Sequence, residues 1–266
     1  MNPITVQEQH LSAERIEDRF EIALAWGFDG LELRGKGGFA FQDRLPELQR
    51  AARSGVVMPT VCVEMDYFVG AFDDDLRRDA VNQLRSQLSV VAAYGGRGVM
   101  TPASYGMFSK RLPPFEPPRD ESGDREVLLE ALSALGAHAA AEGVQLYLEP
   151  LNRYEDHMVN RLEQAASLIE EVGSPAVRIV ADTYHMNIEE RDSAASLQAW
   201  AALLGHVQAS DSNRLEPGAG HIDWALFGAT LRSIGYDGPV AVESRLSGPA
   251  DVVLRRVPPL LGRYLR

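Results

Sequence analysis

The feature that most limits what this 266-residue chain can fold into is an alternation of two kinds of segment. Short β-rich runs are followed by longer amphipathic stretches, over and over. The strand-like runs are ITVQEQ from Ile4, FDGLEL from Phe28, VVMPTVCVE from Val56 and GRGVMTP from Gly96. They continue with VQLYLEP from Val144, VRIVADT from Val177, HVQASD from His206 and PVAVES from Pro239. Between them lie helix-like segments such as SAERIEDRFEIALAWG from Ser12, DLRRDAVNQLRSQLSVVAAYG from Asp75 and DREVLLEALSALGAHAAAEG from Asp124. Several start at Ser or Asp, residues suited to accept from free N-terminal amides. Gly27, Gly55, Gly95, Gly143, Gly173 and Gly235 fall where such helices should stop. Alternating strands and helices imply a parallel sheet, either an open doubly wound sheet or a closed barrel. No GxGxxG follows the first strand and no phosphate loop is visible. A single (β/α)8 TIM barrel over residues 1–266 is therefore expected.

Composition narrows the partners. Hydrophobic residues make up 45% of the chain, enough for a large core, and the formal net charge is −12. That charge argues against a nucleic-acid backbone or an anionic membrane surface. It leaves a small polar substrate open. The single cysteine, Cys62, permits no internal disulfide, lies in an apolar stretch and suits a cytoplasmic location. No apolar run approaches the roughly 20 residues needed to span a bilayer, and the start, MNPITVQEQHLSAERIEDR, lacks a signal-peptide pattern. One long irregular stretch, Thr101 to Gly123, follows the fourth strand. It is either a plain surface loop or a lid or homo-oligomer contact on the face where barrel active sites form.

The last four strands end in Glu149, Asp182, Gln208 and Glu243, each about one strand-helix unit from the next. A barrel sets successive strand ends side by side around one mouth. Alternate strand residues point to opposite faces. Leu146, Leu148, Ile179, Ala181, Val207, Ala209, Val240 and Val242 share the parity that faces the helices. The four polar residues share the other. Three carboxylates packed together repel. Either hydrogen bonds alone satisfy the cluster, or a divalent cation does; the cation is the simpler compensation, and an all-oxygen set suits Mn²⁺ or Mg²⁺. Glu8, Glu32, Glu64 and Asp66 fall near other strand ends and read as polar rim. His206 shares the inward parity one layer deeper and reads as core. His10, His138, His157 and His221 show no metal-ligand spacing.

The strings LEPLNRYEDH, ADTYHMNIEE and NRLEPGAGHIDW, with AVES at the last strand, resemble the xylose-isomerase-like barrels. The nearest branch is the ketose 3-epimerases of the tagatose and allulose type. The match runs from about Gly143 to Glu243, and more loosely over GFDGLELRG. The resemblance implies a (β/α)8 barrel with a Mn²⁺-type ion (Mg²⁺ or Co²⁺ as substitutes) held by two glutamates, one aspartate and usually a histidine. Glu149, Asp182 and Glu243 match three of those ligands. Gln208 stands at the fourth, as in the hydroxypyruvate-isomerase-like branch, whose HVQ string supplies a glutamine ligand. The resemblance also assigns Glu155, His185 and Arg214 to substrate binding, with His185 and Arg214 polarising a ketone oxygen.

The implied chemistry is proton transfer beside a carbonyl made more acidic by the ion. Glu149 and Glu243 would be the acid-base pair, one on each side of the sugar. Return of the proton to the same carbon makes a ketose 3-epimerase; return to the neighbouring carbon makes an aldose-ketose or hydroxypyruvate-type isomerase. A metal-dependent endonuclease on a similar barrel would need a His-rich multi-metal cluster and a basic DNA face, and the chain offers neither. A non-catalytic sugar-binding barrel would not need the acid-base groups.

Overall fold

The computed structural model describes residues 2–107 and 116–265. Eight parallel strands close into a barrel in sequence order. They are β1 (Ile4–Gln7), β2 (Gly30–Lys36), β3 (Thr60–Glu64), β4 (Gly98–Pro102), β5 (Gln145–Glu149), β6 (Val177–Asp182), β7 (Leu204–Ala209) and β8 (Val240–Val242). The ring is closed by β1 against β8, with Ile4 opposite Val240 and Val6 opposite Val242. Among the described residues no helix is long and apolar enough to cross a membrane.

The helices start and stop for local reasons. Asp73 caps the Asp74–Tyr94 helix by accepting from the amides of Asp75 and Leu76, and Asp120 caps Glu121–Glu142 by accepting from Gly123. The caps lie upstream of the expected starts, because neighbouring acidic residues compete for the role and only geometry chooses. The first long helix begins at Ile16 rather than Ser12 and has no side-chain cap. All six expected stop glycines adopt positive φ, from 66° to 94°. That backbone state carries little penalty without a Cβ. The third strand starts at Thr60, after Pro59, which has no amide to donate to a ladder. Within the stretch Thr101 to Gly123, the first two residues belong to β4 and the last three to the following helix. Its centre, 108–115, and with it the expected lid or oligomer contact, lies outside the described residues.

The pleat divides the core in two. Leu146, Leu148, Ile179, Ala181, Val207, Ala209, Val240 and Val242 all join the large apolar layer under the helices, as their parity predicts. A separate small cluster of Cys62, Met100, Tyr147 and Val180 fills the inside of the ring. Tyr147 needs space there, and two glycines provide it. A Cβ on Gly98 would stand 2.3 Å from the Gln145 carbonyl oxygen and 2.6 Å from the Tyr147 ring; one on Gly205 would stand 2.7 Å from the same ring. Gly98→Ala is therefore expected to lower stability by about 1–3 kcal/mol through overpacking, read as a fall in the urea midpoint. An unchanged midpoint would mean that the ring interior has room to spare.

Candidate active site

Parity and strand length together bring the four polar strand ends to one mouth. Glu149 and Asp182 are the last residues of β5 and β6, Gln208 pairs in register with Asp182, and Glu243 follows β8 directly. Glu149, Asp182 and Gln208 are at most 5% exposed. Glu149, Glu155, His185, Arg214 and Glu243 line a single cavity of about 390 Å³. Asp182 and Gln208 sit among the buried polar residues beside it.

Arg214 brings a cation into contact with this acidic mouth, whose lining also includes Arg34 and Arg245. Arg214 Nη1 donates to Asp182 Oδ2 at 2.7 Å, and its Nη2 lies 3.2 Å from Glu243 Oε1. The guanidinium also stacks over the Tyr184 ring at 5.1 Å. To reach this position Arg214 takes a left-handed backbone, φ 61°, uncommon for a residue with a Cβ and characteristic of functional sites. Its effect on the carboxyls is uneven. Burial, reinforced by Glu243 and Asp182, pushes Glu149 well above the usual carboxylate range. Burial also raises Glu243, against the pull of Arg214. Burial alone would raise Asp182, but Arg214, His185 and the amide bonds at its oxygens hold it below its ordinary value.

The donor set fits a divalent cation. Glu149 Oε1, Gln208 Oε1 and Glu243 Oε2 are buried and have no hydrogen-bond partner among the described residues. Orphaned buried oxygens are costly, and three of them within the span of the last four strand ends are what a hard cation would use. Glu149, Asp182 and His185 form a second candidate set, with ligand atoms within 4.8 Å of one another. The tautomer of His185 decides between them. The Asn152 backbone amide donates to His185 Nδ1 at 2.9 Å, so Nδ1 is an acceptor. Burial lowers the pKa of the ring and keeps it neutral, and the remaining proton must then sit on Nε2. Nε2 is thus a donor 3.8 Å from Glu149 Oε1, suited to a substrate oxygen rather than to a metal.

The sequence reading placed other residues less well. Glu32 is not rim: it is fully buried inside the ring and accepts from Gln7, Thr60, His206 and Gln208. His206 is buried as expected, yet bonded to Glu32 as well as packed on Tyr147. Glu8 is buried between Arg19 and Arg44, a structural clamp. Glu64 pairs with Arg34 at the cavity edge, and Asp66 is exposed. Cys62 is buried and unpaired, and its thiol lies 3.8 Å from Glu243 Oε1. Asn152 and Arg34 were missed. Asn152 lies within the quoted LEPLNRYEDH string, but only the fold reveals that it sets the His185 tautomer.

Asp156 staples the loop that carries Glu155. It accepts from Ser104 Oγ and from the amides of Met158 at 3.0 Å and Val159 at 3.1 Å, while Glu155 O accepts from Gly106 at 2.8 Å. The loops after β4 and β5 are thereby tied together. The same loop walls a second cavity of about 470 Å³, whose lining includes none of the four strand-end residues.

With this geometry in view, the chain was compared with known proteins. A family model described as the xylose isomerase-like TIM barrel matches residues 20–257. The chain belongs to the xylose isomerase-like TIM barrel family. Within that family it is an isomerase-class carbohydrate enzyme. It is 38% identical over 244 residues to a 3-dehydro-D-guloside 4-epimerase of Escherichia coli (strain K12), covering 91% of this chain and 92% of that protein. It is 38% identical over 138 residues to a D-psicose 3-epimerase of Enterocloster bolteae, covering 52% of this chain and 46% of that one. Among solved structures, the apo form of a 3-keto-D-glucoside 4-epimerase from E. coli superposes with a TM-score of 0.92 at 37% identity, over 99% of this chain and 100% of that one.

The Asp156 staple carries a pH signature. Burial raises its carboxyl to about 6, against the bonds from Ser104 and the two amides. A carboxyl whose folded pKa exceeds its unfolded value contributes stability that is complete below the unfolded pKa, about 4, and lost as pH rises through the folded one. Asp156→Asn cannot ionise. Its metal-free stability should fall less between pH 4 and 7 than that of the parent, by on the order of 2 kcal/mol. Equal slopes in chemical denaturation would show that Asp156 ionises as an ordinary surface acid does.

Proposed function

We propose that the protein is a divalent-metal-dependent epimerase that inverts the carbon beside a sugar ketone, and that this ketone belongs to a glycoside ring. The observation that carries the reading is the pair Glu149 and Glu243. These two carboxylates line one cavity from strand ends separated by β6 and β7. Arg214 and His185 line the same cavity. Glu149, Asp182, Gln208 and Glu243 would hold the ion, and the hard oxygen set favours Mn²⁺, with Mg²⁺ or Co²⁺ as substitutes. When bound, the ion supplies Lewis-acid polarisation of the ketone.

The chain's own residues do the rest. One glutamate takes the proton from the carbon beside the carbonyl; the C–H electron pair delocalises into an enediolate. His185 Nε2–H and Arg214 donate to the oxygen on which charge builds. The second glutamate returns a proton to the same carbon from the other face, and the inverted centre results. Glu155 lines the cavity where it can bind a sugar hydroxyl. The substrate loses one proton and gains one; the turnover leaves the first glutamate protonated and the second ionised, ready for the reverse reaction, and exchange of both with water resets the pair for the next forward one.

Two findings favour a glycoside. Similarity to the 3-dehydro-D-guloside 4-epimerase runs through nearly the whole of both chains, whereas similarity to the D-psicose 3-epimerase covers about half of each. Beside the cavity, a polar groove of about 630 Å³ shares Gln9, Arg34 and Glu64 with it and leaves room beyond one ring. A ketose 3-epimerase acting on free ketoses is the second reading, favoured by the LEPLNRYE and DTYHMNIEE strings. A cytoplasmic location fits the single buried, unpaired Cys62.

Solvent labelling separates the readings. In D₂O with Mn²⁺, a 3-keto glycoside should gain deuterium at C4. A free ketose labelled faster, and at C3, would favour the 3-epimerase; label at C1 or C2 would favour an aldose-ketose isomerase. Glu243→Gln should lower net turnover by about 10²-fold or more, yet leave exchange on one epimer through Glu149, with metal content measured alongside. Product formed without solvent deuterium in any substrate would rule out abstraction by an exchanging carboxylate.

A further inference from the structure

Below the mouth of the barrel, Glu32 is fully buried and all its acceptor capacity is in use. Oε2 accepts from Gln7 Nε2 and from Gln208 Nε2, both at 3.0 Å; Oε1 accepts from Thr60 Oγ1 at 2.9 Å and His206 Nε2 at 2.8 Å. An ionised carboxylate accepts and does not donate. The end of Gln208 that meets it must therefore be the NH₂. An amide is planar, so holding its nitrogen on Glu32 turns its carbonyl oxygen the other way. That oxygen is buried and has no partner among the described residues. Gln208 itself lies opposite Asp182 in the β6–β7 register.

A glutamine side chain by itself has no reason to present oxygen rather than nitrogen. Turned over, it would aim two N–H dipoles at a cation and lose a ligand. Thr60, Gln7 and His206 already compensate the buried charge of Glu32, so the bond to Gln208 is not needed for that alone. We propose that Glu32 is a positioning residue: it locks the Gln208 amide in the orientation that offers oxygen to a divalent cation at Glu149, Asp182, Gln208 and Glu243. The proposal rests on the reading of those four residues as the metal site. It explains why a neutral amide can serve at that position, and it assigns a role to a buried acid that the proton-transfer chemistry does not use.

The test is Mn²⁺ binding to the chelator-stripped full chain, followed by the electron paramagnetic resonance signal of the free ion, with folding checked by circular dichroism. Gln208→Leu should weaken binding. Glu32→Gln should weaken it about 10–100-fold, the range for loss of an outer-shell partner, because two facing amides can meet in either sense. The reciprocal double variant, Glu32→Gln with Gln208→Glu, keeps one carboxylate and one amide at the two positions. It presents an oxygen whichever way the side chain at 208 turns, so binding should return to within about tenfold of the parent. A carboxylate at 208 strengthens cation binding by itself, so Gln208→Glu alone is the reference: Glu32→Gln should cost affinity in the parent and not in that background, whereas a general structural role would cost it in both. Should Glu32→Gln fail to fold, the double variant measured against Gln208→Glu decides the matter: equal or tighter binding supports the proposal and weaker binding overturns it. Unchanged affinity in a folded Glu32→Gln, or no rescue in the double variant, overturns the proposal while Gln208→Leu still reports the metal site. A parent that binds no Mn²⁺, or a Gln208→Leu that binds as the parent does, overturns the metal site and the proposal together.

Discussion

Three residues of β1 set against three of β8 close the ring, and this closure governs everything inside it. A closed parallel barrel has no edge, and each strand must send alternate side chains into a narrow interior. Apolar and aromatic groups occupy part of that space: Cys62, Met100, Tyr147 and Val180. A carboxylate pointing inward must then either find a full set of donors or reach the open end. Glu32 takes the first course and Glu149, Asp182 and Glu243 take the second. The acidic mouth is thus a direct product of pleat and register.

The mouth is charged beyond what the protein itself neutralises. Among the described residues, Arg214 is in ion-pair contact with two of the acids, Asp182 and Glu243, while Arg34 acts on Glu243 from across the cavity. With all three acids ionised, Glu149 is left, among the described residues, without an ion-pair partner in contact with it apart from the neutral ring of His185, and a cation would meet that need. Removing one partner from a buried charge pair is far more damaging than the net worth of the pair suggests. The left-handed backbone of Arg214 is small beside that penalty, which is why the loop after β7 tolerates it.

Much of this was legible in the sequence because it depends on short-range periodicity. The inward parity of Glu149, Asp182 and Gln208 follows from counting by twos along single strands, and the glycine stops follow from the punctuation of single helices. What was not legible involves partners far apart in the chain. Glu32 read as rim because its donors lie on three other strands, the most distant being His206 and Gln208. Glu8 read the same way because Arg19 and Arg44 reach it only after the intervening helices have folded. The cap at Asp120 was misplaced to Asp124 because both residues are aspartates, and the latter is bound instead to Arg119. His185, singled out by its motif, lines the cavity; its tautomer, set by an amide 33 positions upstream, was beyond any pattern.

The packing of Tyr147 between Gly98 and Gly205 also has a kinetic side. That ring and the Glu32 network fill the interior, and the cavity lies above them at the strand ends. A molecule that reaches Glu149 crosses a rim lined by Tyr105, Glu155 and Arg245. An incoming molecule and a departing one would then share that rim, and the time each spends there adds to the time of any exchange.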